Sequence, residues 1–249
     1  WPWLCTISAM PAQETPRSSG AYIPIASRRH FVVMLLIQAA LVAIGFWLQS
    51  RSGSDSILPQ SRNVLPLYLS VIALEWGLVA TVRGAANERG ISLWQIIGEH
   101  WKSWKNIVLD IAICVPFVFA WEMTARFMHR LLGPDQAKSI GSLLPQSTLE
   151  VLLWIVVSIS AGICEEIIFR GYFQRQFAAY TSSMTAGVLL QALVFGLGHS
   201  YQGVKQVVII SVLGLLYGAL AAWRRNLGSN MIAHAWTDIW NGWLSGVVR

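Results

Sequence analysis

Three short stretches place acid–base side chains inside otherwise apolar runs. They are CEEIIFR, with Glu165, Glu166 and Arg170; FGLGH, with Phe195 and His199; and HAWTD, with His234 and Asp238. A charge at the centre of a hydrocarbon core costs about 2.5–3.5 kcal/mol on insertion scales, so each such group calls for a partner or a task. Helical spacing supplies one partner. Glu166 and Arg170 stand four apart with the acid N-terminal, the favourable order for a pair. Glu165 lies about 100° further round the helix and cannot share that arginine equally well. One glutamate is therefore expected to be neutralised, and Glu165 is left as the working group. His234 and Asp238 are again four apart, with Asn241 about one turn on along the same face. A shared polar cavity inside a helical bundle would satisfy two histidines, a free glutamate and an aspartate on separate late helices.

The elements that must hold these groups follow from composition. Of 249 residues 55% are hydrophobic, only 12% are charged, and 13 are Trp. A soluble domain carries roughly twice that share of charge. The expected fold is all-α, a multi-pass transmembrane bundle, with apolar runs at about 31–49, 64–83, 106–128, 149–173, 184–201, 206–223 and 229–248. About seven spans are expected, with a range of six to eight because the fifth and sixth are short. The stretch ISLWQIIGEHWKSWKN repeats Trp94, Ile97, Trp101 and Trp104 at helical spacing with Lys102 and Lys105 between them. That pattern fits an amphipathic helix at the membrane interface or a helix packed on the bundle. Residues 1–29 lack a signal-peptide pattern and are expected to be poorly ordered. Residues 30–140 form an N-terminal set of helices, and 145–249 the segment that carries the chemistry.

The net charge is +6. Lys and Arg are scattered between apolar runs, so the excess reads as a topology signal and headgroup contacts, with no nucleic-acid partner. The larger share of the basic residues falls on the side of the N-terminus, which the positive-inside rule puts in the cytoplasm, with the end of the fourth span and its glutamates. Cys5, Cys114 and Cys164 suggest neither a disulfide framework nor a metal pair. Glu75, Asp110 and Glu122 are single acids in the second and third spans, expected to be paired or near an interface.

Taken together, EEIIFR, FGLGH and HAWTD resemble the motifs of the type II CAAX prenyl endopeptidase and bacteriocin-processing family of intramembrane proteases. The resemblance covers about residues 145–248. It implies an intramembrane endopeptidase of the cell membrane acting on a membrane-anchored peptide, either a prenylated CAAX-type tail or a leader peptide. It implies Glu165 as general base, His199 as its partner, and Glu166 with Arg170 as support. It implies His234 and the residue at 238 as oxyanion stabilisers. Position 238 is Asp where the family more often has Asn; an ionised Asp would repel an oxyanion, and Asn241 would then supply an amide. Glu165, His199 and His234 would also serve as a His₂Glu set for Zn²⁺; a metal-free glutamate mechanism uses the same residues. The alternatives are a non-catalytic immunity or scaffold protein of the same fold and, more remotely, a proton-relaying transporter, which should show two related halves.

Overall fold

The structure is a computed structural model that describes residues 22–51, 64–98, 101, 103–133 and 143–247, the last five without their side chains. Among them every regular element is helical. The order is α1 (Arg28–Arg51), α2 (Leu65–Asn87), α3 (Leu93–Ile97), α4 (Trp104–Leu132) and α5 (Thr148–Glu165). Next come a π-helical stretch (Glu166–Phe173), α6 (Gln174–Thr181), α7 (Met184–Gly198), a 3₁₀ turn (Ser200–Gln202), α8 (Val204–Arg224) and α9 (Gly228–Val247). The bundle is all-α, as expected. Five helical runs are long and apolar enough to cross a membrane: α1, α2, α4, the continuous Thr148–Thr181 run, and α8. At about 1.5 Å per residue, the 15-residue α7 reaches only about 22 Å, short of a full hydrocarbon core. The fifth expected span is thus a short helix ending just before His199.

Two expectations are corrected. The stretch from Trp94 to Trp104 is not one amphipathic helix. Its first part is the five-residue α3, opened by a Ser92–Gln95 capping box and closed at Gly98, whose φ is 106°. That left-handed conformation suits glycine, and a Cβ there would sit 2.7 Å from the Asn226 Cα. Leu227 N–H donates to Ile97 O, which binds this turn to the start of α9. Trp104 begins a separate helix. The second correction concerns 22–29, expected to lack order; the rest of that segment, 1–21, lies outside the described residues. Ile25 and Ala26 are buried. Gln176 grips both polar groups of the Ala26 backbone, at 3.1 and 3.3 Å, and so docks the entry to α1 on α6.

The late helices pack closely where small residues let backbones meet. At Gly162 of α5 a Cβ would lie 2.8 Å from Ala235 N and 2.9 Å from Met231 O of α9. The crossing falls three residues before Glu165 and beside His234, so it sets how near the two motifs come. At the opposite edge Asp110 of α4 accepts from Arg224 (2.9 Å), Ser229 (2.7 Å) and Trp101 (3.0 Å). This joins α4, the end of α8 and the start of α9 and confirms Asp110 as a paired structural acid.

Candidate active site

The site begins with the irregularity in the longest helical run. From Glu166 to Phe173 the backbone is π-helical and all eight residues are buried. Such wide turns are rare and shift the phase of the side chains that follow. Here the stretch carries both halves of the expected ion pair. Arg170 Nη1 lies 2.8 Å from Glu166 Oε1, and both side chains are 0% exposed. Two further donors converge on the same carboxylate: His234 Nδ1 at 2.8 Å on Oε1 and Asn230 Nδ2 at 3.0 Å on Oε2. Asn230 also donates to Tyr217 O at 2.8 Å, tying α9 to α8. The guanidinium lies over the rings of Phe195 (4.2 Å) and Tyr217 (5.0 Å), so aromatic faces meet N–H groups that have no acceptor among the described residues. Glu166 is therefore a fully engaged anion at the centre of three helices.

His234 links this support to the open part of the cluster. Its Nδ1–H is committed to Glu166, and its ring stacks on Tyr217 with centroids 5.3 Å apart. Its Nε2 faces outward, 3.8 Å from Glu165 Oε2 and 3.7 Å from Asp238 Oδ2. Exposure rises along this line: His234 is 6% exposed, Glu165 19% and Asp238 34%. Glu165 Oε2 is buried and has no hydrogen-bond partner among the described residues. Arg170 thus pairs with Glu166, and the neighbouring carboxylate is left uncommitted, as the helical spacing suggests.

His199 stands at the C-terminal end of α7, where its Nδ1 is 2.9 Å from Phe195 O. A carbonyl only accepts, so Nδ1 carries the proton and, in the neutral ring, Nε2 holds the free lone pair. His199 lies within electrostatic reach of Asp238, which also feels Glu165, Glu166 and His234. Phe195 packs edge-on against both histidines, with centroids 4.9 Å and 6.0 Å away. Asn241 stands exposed on α9, outside the hydrogen-bonded cluster. Trp154 Nε1 donates to the Asp238 carbonyl at 2.8 Å and fixes that turn of α9 against α5. The glutamate pair sits near the middle of the 34-residue Thr148–Thr181 run, because the helix continues well past Phe173.

Sequence reasoning missed Asn230 and Tyr217. Asn230 left a signal: it precedes His234 by four residues and so shares its face. Tyr217 lies inside an apolar run and left none. Among the described residues no three His, Cys, Asp or Glu groups gather closely enough to hold a metal ion. His199 Nδ1 is engaged by Phe195 O and His234 Nδ1 by Glu166, which leaves Nε2 as the remaining nitrogen of each ring.

No curated protein and no solved structure matches the chain. One family model does, described as "Type II CAAX prenyl endopeptidase Rce1-like", over residues 147–240. That segment holds all three motifs, the π-helical stretch and the whole of the Glu166 network. Over residues 147–240, less than half of its length, the chain is thus similar to the type II CAAX prenyl endopeptidases that the motifs resemble.

Proposed function

We propose that the protein is an intramembrane endopeptidase that hydrolyses a peptide bond of a membrane-anchored substrate. The observation that carries this reading is the convergence of an uncommitted glutamate, Glu165, with His234 and Asp238 in one partly exposed cluster, backed by a buried Glu166–Arg170 pair. The family match over 147–240 supports it.

In this reading a water bound at Glu165 gives its proton to the carboxylate, and its oxygen bonds to the substrate carbonyl carbon. His199, with Nε2 free to accept, orients that water. The carbonyl oxygen becomes an oxyanion and takes a hydrogen bond from His234 Nε2–H, available when the ring is cationic. Its Nδ1–H rests on Glu166, so the ring is already oriented when the charge develops, the condition under which such donors act best. The C–N bond then breaks, and Glu165 returns its proton to the leaving amine. Asp238 holds the His234 ring from the open side. Substrates are a prenylated CAAX-type tail or a leader peptide, presented from the bilayer. By the positive-inside bias, the helix ends that carry Arg28, Arg29, Arg89, Arg175, Arg224 and Arg225 face the cytoplasm.

The test is the full chain in liposomes, offered a prenylated peptide, the same peptide without the prenyl group, and a leader-type peptide. Wild type should cleave at least one. Glu165→Gln should lower turnover by at least about 10²-fold, the lower end for a general base. Full turnover by Glu165→Gln, or no cleavage of any peptide by wild type, would overturn the reading.

A further inference from the structure

His199 stands between the end of α7 at Gly198 and the 3₁₀ turn Ser200–Gln202. That turn packs chiefly on α1, a helix outside the matched residues 147–240. Three positions of α1 meet it in order. Gln38 Nε2 lies 2.7 Å from the place of a Cβ on Gly198. Val42 O accepts from Ser200 Oγ at 2.9 Å. Gly45 lies against Ser200 and Tyr201. Gln38, Val42 and Gly45 are spaced four and three apart, so they form one stripe of the helix. The fit is closest at Gly45, where a Cβ would overlap Ser200 Oγ and stand 3.0 Å from Tyr201 N. Ser200 is 0% exposed, so its hydroxyl needs the Val42 carbonyl, and a glycine at 45 lets it reach. His199 is held on both sides by these contacts. Its Nδ1–H rests on Phe195 O, one turn back in α7. Its carbonyl accepts from Gln202 N–H at 2.9 Å, and the Tyr201 ring lies 6.1 Å from the imidazole.

We propose that α1 positions His199: Gly45 and the Val42 carbonyl seat Ser200, and that seat sets the depth and orientation of the imidazole beside it. Gly45 and Ser200 are then positioning residues of the site. Residues 147–240 hold both of its histidines, but one takes its placement from a helix outside that stretch. The part of this inference that concerns turnover rests on the peptidase reading; the part that seats the His199 turn on α1 does not.

The competing role is ordinary packing of α1 on the bundle, which would move the melting temperature and leave each folded molecule at full rate. Ser200→Ala removes the bond to Val42 and adds no volume. Gly45→Ala adds a methyl that pushes the hydroxyl off Val42 or lifts the turn. Together, the methyl takes room that the hydroxyl vacates. Positioning predicts that Gly45→Ala lowers kcat per folded molecule by at least about tenfold with KM within about twofold. Ser200→Ala should lower kcat in the same way but less, and the double variant should lose less than the product of the two single losses. Wild-type kcat in both single variants would overturn the proposal whatever their Tm, and so would losses that multiply as if independent. A second measurement needs no substrate. Nitrogen NMR of the full chain with ¹⁵N-labelled histidine, assigned with His199→Gln, reports which ring nitrogen holds the proton. Wild type should show the His199 proton on Nδ1, and Gly45→Ala should move that signal. A His199 signal unchanged in both Gly45→Ala and Ser200→Ala would overturn the proposal. If wild type cleaves no peptide and the signal still moves, the peptidase reading fails and the seat on α1 stands.

Discussion

Arg170 is the residue whose loss has the clearest consequence in this geometry. Arg170→Met keeps most of the stem volume and removes the guanidinium. Glu166 then keeps two donors, His234 at 2.8 Å and Asn230 at 3.0 Å, but loses the formal charge that balances it. Removing one partner of a buried pair costs about 3–5 kcal/mol, against about 0–1 kcal/mol for an exposed pair. Both partners here are 0% exposed, so the larger range applies. The guanidinium also leaves the faces of Phe195 and Tyr217, and a desolvated cation–π contact is worth about 2 kcal/mol, part of which the Met sulfur and methyl recover by packing. The expected loss is therefore about 3–6 kcal/mol. For a chain of 150–250 residues about 1 kcal/mol moves Tm by about 2–4 °C. Melting in detergent, followed by the intrinsic fluorescence of the 13 tryptophans, should show a fall of at least about 6 °C.

The double variant Glu166→Gln with Arg170→Met decides whether charge is the cause. Replacing both members of a buried pair by neutral groups of similar volume is often near neutral. The amide oxygen that Glu166→Gln introduces would still accept from His234, so the double should regain most of the lost Tm. A single variant within about 2 °C of wild type would refute the buried-pair reasoning. So would a double variant no better than the single, because the loss would then come from shape alone.

Asn230→Ala leaves Glu166 Oε2 and Tyr217 O without their buried donor and should cost about 1–3 kcal/mol in the same melting assay; Asn230→Asp, which places a second carboxylate beside Glu166, should be worse. Gly162→Ala puts a methyl 2.8 Å from Ala235 N, where only backbone movement can make room, and should cost about 1–3 kcal/mol and lower turnover by displacing Glu165 from His234. Incubation with a strong divalent-metal chelator should leave turnover unchanged if the chain's own groups do the chemistry; loss of activity that added Zn²⁺ restores would show an ion at the site.

How far the sequence foretold this site depends on the range of each interaction. The Glu166–Arg170 pair was readable because it is local: four residues on one helix bring two side chains together whatever surrounds them. Phe195 and His199 were readable for the same reason, and so was Asp238 beside His234. The apolar runs gave the bundle, because lipid demands helices of a known length. Interactions that depend on how two helices are rotated about their axes were not readable. His234 on Glu166 and Ser160 on Glu75 need the relative azimuth of α9 and α2 against α5, and hydrophobic period leaves that open in a chain whose helices are apolar nearly all round. The π-helical stretch adds a local obstacle. Beyond the Glu166–Arg170 pair, a 3.6-residue period carried through the stretch loses register, so no count along the sequence gives the faces on which Tyr172 and Gln174 lie.

On the proposed peptidase reading, the same geometry gives two adjacent glutamates separate tasks. A carboxylate that activates water inside an apolar bundle must be desolvated enough to be reactive yet free of committed donors, a combination that by itself destabilises the helix carrying it. Glu166 meets the structural demand. With three donors on its two oxygens, it anchors the π-helical stretch to α9 and orients His234. Glu165 is then held by its neighbour's anchorage, not by bonds of its own, and its Oε2 stays open toward His234 Nε2. Separating anchor from base across one peptide bond also predicts how the two positions fail. Substitution at 166 should disturb stability and His234 orientation together. Substitution at 165 should remove turnover and leave the melting temperature nearly unchanged or raised, because a repelled, unpaired charge has been taken away. A large drop in Tm for Glu165→Gln would show that Glu165 is itself part of the anchor, and the division of labour would have to be abandoned.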